Sequence, residues 1–247
     1  MKNISPIDSI SIVIPLYNEA NTIYQLLDNV CSVRIEAVKA VQIIVVNDCS
    51  TDGSIDRVNE FINDHPDDDI TLIQNSENRG KGYSLRQGFK HASGDYILIQ
   101  DADLEYDPRD YNDLFEPIRL GQADVVYGSR FRGSKPHRML FFWHSAGNKI
   151  LTFLCNVVAN LNLTDIECCY KIIRRDILNQ IDLKEDRFGF EPEVTIKLSR
   201  HPDIRIYEVG VAYYGRTYAQ GKKINYKDGF RAVYCIMKYA FSRTVSI

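Results

Sequence analysis

Residues 96–108 read YILIQDADLEYDP, an uncharged run that passes at once into alternating acids. The first five residues predict a strand buried on both faces, the acids a loop at its carboxyl end, and residues 110–120 a following helix. The same unit recurs upstream. Residues 9–15 (SISIVIP) predict a strand followed by a helix over 19–30, and residues 41–47 (VQIIVVN) a strand followed by DCSTDGS and a helix over 54–63. Residues 70–74 predict a third strand, followed by NSENRGKG and a helix over 83–91. Apolar strands joined by amphipathic crossovers define an α/β chain, with a Rossmann-like, mostly parallel sheet and helices on both faces.

In such a sheet ligands bind beyond the carboxyl ends of the strands. Those ends carry, in turn, Pro15-Leu16-Tyr17-Asn18-Glu19, then Asn47-Asp48, then Asn78-Arg79-Gly80-Lys81-Gly82, then Asp101-Ala102-Asp103. Four polar clusters on one edge predict a site. Asp101 and Asp103, two residues apart in a loop, can converge on one hard cation, Mg2+ or Mn2+, which would bridge to a phosphate. Glu105 continues the alternation as a third ligand or as an acceptor behind the first two. Asp48 stands where an acid bonds a ribose hydroxyl or a base N–H; the other reading is an Asx-turn or helix cap, a role Asp52 fits better. The two glycines and two cations of 78–82 would let backbone and charge approach a phosphate. Neither G-K-[ST] nor a G-x-G-x-x-G after the first strand occurs, which argues against a P-loop enzyme and a dinucleotide dehydrogenase.

The second half differs in composition. Residues 130–164 contain no Asp or Glu but include Arg130, Arg132, Lys135, Arg138 and Lys149. An apolar helix is predicted over 140–161, a strand over 169–174, a helix over 191–200, and a strand or hairpin over 204–214. A last helix over 226–241 carries Phe230, Val233, Tyr234, Met237 and Phe241 on one side. With 30 Lys and Arg against 33 Asp and Glu, the chain has no basic signature for nucleic acid. No C-x-x-C or zinc spacing occurs among the six cysteines, so reduced, mostly buried thiols are expected. No apolar run is long enough to span a membrane and no signal pattern opens the chain, which predicts a cytoplasmic protein.

Taken together, IVIPLYNE, VVNDCSTDGS, NRGKGYSLRQGFKHASGDYILIQDADLEYDP and VVYGSRF resemble, in order and spacing, the GT-A-type family-two inverting glycosyltransferases over residues 9–131. GSRF, residues 165–175, 188–193 and YYGRTYAQGKK (213–223) are most similar to the polyprenyl- or dolichyl-phosphate sugar synthases. The resemblance implies one GT-A domain over 1–247, with a nucleotide-sugar half (1–131) and an acceptor half (132–247). It implies a donor pocket made of Pro15, Tyr17, Glu19, Val46 and Asp48, and a diphosphate-metal station at Asp101, Ala102 and Asp103, with Glu105 as a further ligand. Arg130 falls where an anion-binding, catalytic arginine is expected, and Arg216 and Lys222 where a late loop closes over the diphosphate.

The implied reaction moves a hexose from GDP-mannose or UDP-glucose to a polyprenyl or dolichyl phosphate. Such an acceptor needs no base, because a phosphate monoester with a second pKa of about 6 is largely dianionic at neutral pH. Two alternatives stand beside it: a hydroxyl acceptor, which requires a base at Glu191 or Glu193, and a non-catalytic nucleotide-sugar-binding module. Without a role in catalysis, Glu191 and Glu193 are first-turn acids of a helix. The apolar helices, flanked by basic residues and bearing Trp143 and tyrosines, predict peripheral contact with the inner face of a membrane, supported by Lys227, Arg231 and Lys238.

Overall fold

The computed structural model describes residues 7–133, 135, 136, 138, 139, 141–216 and 226–241. Strands β1 (Ile7–Leu16), β2 (Val38–Asn47), β3 (Ile70–Gln74) and β4 (Tyr96–Ile99) alternate with helices α1 (Ile23–Ser32), α2 (Ser54–Asp64) and α3 (Lys81–His91). After a 3-10 turn at Pro108–Asp110 come α4 (Tyr111–Arg119), β5 (Val125–Ser129), α5 (Phe142–Ala159), β6 (Lys171–Arg174) and α6 (Arg175–Leu178). Then follow α7 (Phe190–Ser199), β7 (Ile206–Gly210) and α8 (Tyr226–Ala240).

The seven strands make one sheet in the order β3-β2-β1-β4-β6-β5-β7. β1 runs parallel to both β2 and β4, β2 to β3, and β5 to β7, while β6 is antiparallel to β4 and β5. Ile10, Ile12, Val13 and Ile14 are all buried, as a strand covered on both faces requires. Chain order reverses across the β1–β4 boundary, and that reversal opens a crevice at the carboxyl ends of these two strands.

β5 is absent from the strands expected from periodicity, although all five of its residues are buried. In 204–214 only residues 206–210 are strand; the chain beyond them turns toward the crevice. All six cysteines are free thiols, four of them buried. Among the described residues no helix is long and apolar enough to cross a membrane.

α5 and α8 pack against each other with their apolar faces turned outward. The inward face of α5 carries Asn148, Thr152, Cys155 and Ala159, whereas Phe142, Trp143, Ile150, Phe153 and Val157 are exposed, Trp143 by 80%. On α8 the exposed large apolar residues are Phe230, Val233, Tyr234 and Met237, and Phe241 follows just after it. Two of the basic residues expected to face a membrane are directed elsewhere. Arg231 Nη2 and Lys238 Nζ pair with the buried Glu185 at 2.6 and 2.7 Å, anchoring α8 to the loop before α7. The Lys227 side chain lies outside the described residues.

Candidate active site

β4 ends one residue before Gln100, whose buried amide donates to the Asp101 carbonyl while Tyr111 and Tyr170 donate to its oxygen. That brace fixes where the acidic loop leaves the sheet. Within the loop Asp103 Oδ1 accepts the Glu105 N–H, and Leu104 sits at φ 56°, a left-handed conformation uncommon for a leucine. Thr22, at the start of α1, donates to the Ala102 carbonyl and pins the loop against β1.

The loop opens onto a cavity of about 420 Å3, within the size range of small-molecule sites. Pro15, Tyr17, Glu19, Asp48, Asp101, Ala102, Asp103, Glu105, Arg130 and Arg216 all line it, as their sequence positions predict. Val46 does not: its side chain is fully buried beneath α3, close to where a Cβ on Gly88 would lie. Lys222 lies outside the described residues.

Each acid of the β4 loop faces a cation of the chain. Lys81 Nζ lies 2.9 Å from Asp101 Oδ1 and 3.2 Å from Glu191 Oε1. Burial would raise the Asp101 pKa, yet Lys81 beside it holds the carboxyl below its ordinary value. Arg216 Nη2 lies 2.9 Å from Asp103 Oδ2, and the same guanidinium grips Glu19 through two bonds of 2.9 Å. Burial first, then the charges of Asp101 and Glu105, push Asp103 up to about 7 despite Arg216. Glu105 is held by the Tyr213 hydroxyl and the Arg216 N–H, and no three His, Cys, Asp or Glu side chains form a metal-holding group among the described residues. Glu105 lines the same cavity as the two aspartates.

A hard divalent cation fits this donor set. Seven carboxylates line the cavity against four lysines and arginines, and Asp101 and Asp103 offer only oxygen. Lys81 and Arg216 neutralise part of that negative charge.

Asp48 has a structural task as well. Its oxygens accept from the backbone N–H groups of Arg79 and Gly80 and from the Asn75 amide, so it caps α3 from across the sheet. The glycines of 78–82 permit close packing, and Gly80 also lines the cavity. A Cβ on Gly80, itself at φ 102°, would lie 2.6 Å from the Arg187 side chain, and one on Gly82 would meet the Glu185 carbonyl. Arg79 turns away to pair with Asp186, leaving Lys81 as the cation of this segment that lines the cavity.

Arg130 lines the cavity but is gripped by the fully buried Asp165 through Nε at 2.7 Å and Nη2 at 2.8 Å. Glu193 is structural: it accepts the N–H groups of Lys184 and Glu185 and pairs with Lys197. Glu191 lines the cavity, with Oε2 buried and unpartnered among the described residues. Beside it lies Glu167, which the motifs did not single out and whose Oε1 is likewise buried without a partner. Its one signal was position, two residues past the Asp165 that ends the acid-free stretch.

A mostly parallel seven-strand sheet with helices, and an acidic cavity at the reversal of its strand order, has the architecture of a GT-A fold. The chain belongs to Glycosyl transferase family 2, whose family model matches residues 11–182. It is 27% identical over 226 residues to a low-salt glycan biosynthesis hexosyltransferase of Haloferax volcanii, covering 91% of this chain and 52% of that one. It is 27% identical over 241 residues to a dolichyl-phosphate beta-glucosyltransferase of Dictyostelium discoideum (91% and 72%). With a dolichol-phosphate mannosyltransferase of Pyrococcus furiosus the identity is 25% over 238 residues (93% and 64%). The chain thus spans between about half and about seven-tenths of the length of these relatives. Among solved structures, glucosyl-3-phosphoglycerate synthase from Mycobacterium tuberculosis with Mn2+, UDP and phosphoglyceric acid superimposes with a TM-score of 0.69 at 16% identity, covering 97% of this chain and 81% of that one. A mannosyltransferase from Pyrobaculum calidifontis in complex with GDP-Man and Mn2+ gives 0.57 at 20% identity (82% and 56%).

Proposed function

We propose that this protein is an inverting hexosyltransferase that moves a sugar from UDP-glucose or GDP-mannose to a polyprenyl or dolichyl phosphate at a membrane surface. The observation that carries the reading is the cavity at the β1–β4 crevice, where Asp101 and Asp103 meet Lys81 and Arg216. The relatives named for dolichyl- and dolichol-phosphate transfer point to the same acceptor class. In this reading the whole chain acts as one GT-A domain, residues 1–131 holding the donor and 132–247 the acceptor.

The nucleoside lies against Pro15, Tyr17 and Asp48, and the diphosphate reaches the β4 loop. Asp101 and Asp103 would hold Mg2+ or Mn2+, which supplies positive charge against the diphosphate as it leaves. Lys81 and Arg216 supply fixed positive charge at the same end of the cavity, preorganised by Asp101, Glu191 and Glu19. Arg130, oriented by Asp165, receives the acceptor phosphate. The outward aromatic faces of α5 and α8 seat the protein peripherally on the cytoplasmic leaflet, beside a lipid acceptor.

A second reading has its own observation. Glu191, buried, lining the cavity and with one unpartnered oxygen, is placed as a base for a hydroxyl acceptor. Transfer assays with UDP-glucose and GDP-mannose, with and without Mn2+, and offering either a polyprenyl phosphate or a soluble glycan, decide between the two. Transfer to the lipid phosphate alone supports the first; transfer to the glycan alone supports the second. Nucleotide binding with no transfer or donor hydrolysis leaves a binding module and overturns both.

A further inference from the structure

Two carboxylic groups, Glu167 and Glu191, line the cavity as neighbours, each with a buried oxygen that nothing in the described chain satisfies: Glu167 Oε1 and Glu191 Oε2. Leaving buried acceptors unpaired costs about 1–3 kcal/mol each, more when charged, so a pair of them facing a cavity calls for a ligand. Their location says which part of a ligand. One ammonium, Lys81, separates Glu191 from Asp101, so the pair begins where the diphosphate station ends. In a nucleoside diphosphate sugar the group attached at that end is the sugar ring.

We infer that Glu167 and Glu191 together form the floor on which the donor's sugar is recognised, selecting a neutral, hydroxyl-rich ring. The inference rests on the donor-pocket reading given above. A protonated Glu167 donates one hydrogen bond to a ring oxygen or hydroxyl, while Glu191 accepts from a neighbouring hydroxyl. The remaining negative charge on the pair is matched by Lys81. An anionic ring, such as a uronate, would bring a further carboxylate to a cavity already rich in them and is rejected.

The surroundings of Glu167 favour its protonated form at neutral pH. Burial, then the Glu191 charge on α7, push it up to about 8 against the opposing pull of Lys171 on β6 and of Arg130. Arg130 is itself matched by Asp165, and Cys155 on α5, raised to about 12 chiefly by burial, stays neutral through this range. Above about pH 8 Glu167 would lose its proton, and with it the donated hydrogen bond.

The test compares dissociation constants for UDP and UDP-glucose, or for GDP and GDP-mannose, by calorimetry between pH 6.5 and 9.5, so that the sugar's share of binding is read apart from the nucleotide's. For Glu167→Ala the sugar-nucleotide constant is expected to rise about tenfold relative to that of the bare nucleotide, one lost buried hydrogen bond. Glu167→Gln keeps one donor and one acceptor without a charge. It should stay within about threefold of wild type at pH 7 and lose the alkaline weakening that wild type shows above pH 8. UDP-glucuronate should bind no better than UDP. An unchanged ratio in both variants, or wild-type sugar binding that is flat through pH 9.5, overturns the inference while leaving nucleotide binding, and the reading beneath it, in place. Failure of wild type to bind either bare nucleotide overturns that reading and the inference with it.

Discussion

Arg216 Nη2 lies 2.9 Å from Asp103 Oδ2, so one acid of the β4 loop is matched by a cation 113 residues further along the chain. The same guanidinium holds Glu19 after β1. Arg216 thereby ties together the two strand ends that flank the crevice. Arg216→Ala should lower transfer by about 10²–10³-fold, the usual effect of removing one preorganised charge from a transition state. Mn2+ binding measured without nucleotide should not weaken, because Asp103 gains an open face. A variant with near wild-type turnover would remove Arg216 from the mechanism.

Asp101→Asn and Asp103→Asn should each abolish most donor hydrolysis in Mn2+, again by about 10²–10³-fold. Their folds should survive, because Gln100, Tyr111 and Tyr170 brace the loop from behind without either carboxylate. Circular dichroism beside a hydrolysis assay checks both halves of the statement.

Arg130 and Asp165 form a buried bidentate pair, so removing the acid strands a guanidinium with little access to water. Asp165→Asn should destabilise the protein by about 3–5 kcal/mol in urea unfolding. A loss below about 1 kcal/mol would mean that Arg130 is matched by other groups.

Glu185 gathers Arg231, Lys238 and the Tyr239 hydroxyl at the base of α8. Burial alone would raise its pKa, but Lys238, Arg231 and Tyr239 hold it down at about 2. A carboxylate depressed in the folded state stabilises above its ordinary value near 4.5, and that contribution is lost as pH falls toward 2. Glu185→Gln should therefore cost about 1–3 kcal/mol at pH 7, with the gap to wild type closing between pH 4.5 and 2 in denaturant titrations.

The membrane contact is tested on the apolar faces. Trp143→Ala with Phe153→Ala should reduce sedimentation with phosphatidylglycerol-containing vesicles at least tenfold, each large apolar side chain contributing about 1.5–3 kcal/mol when buried. Charge reversal at Arg231 or Lys238 should instead lower thermal stability, since both hold Glu185. Vesicle binding unchanged in the double aromatic variant would sink the lipid-facing assignment of α5.

Much of the fold was legible along the chain because it is written locally. Apolar runs such as VQIIVVN and YILIQ, bounded by turn residues, read as strands of a covered sheet, and the polar groups that follow them fall on one edge. That is why most residues at those ends, from Pro15 to Asp103, do line the cavity. Val46 escaped the rule because alternate residues of a strand face opposite ways, and which way is decided by the layer above. β6, four residues long, carries no mark of direction and becomes the antiparallel strand only by filling the gap between β4 and β5.

By itself the sequence determined the α/β sheet, the edge that carries the chemistry and the acids at the end of β4, since strand period and turn composition act over a few residues. Only the tertiary structure decided which charges meet. Arg216 with Asp103, Asp165 with Arg130, Glu185 with Arg231 and Lys238, and Glu167 beside Glu191 are contacts between segments distant in the chain. Electrostatic partnership depends on distance and burial, and both are set by packing after the strands have found their order.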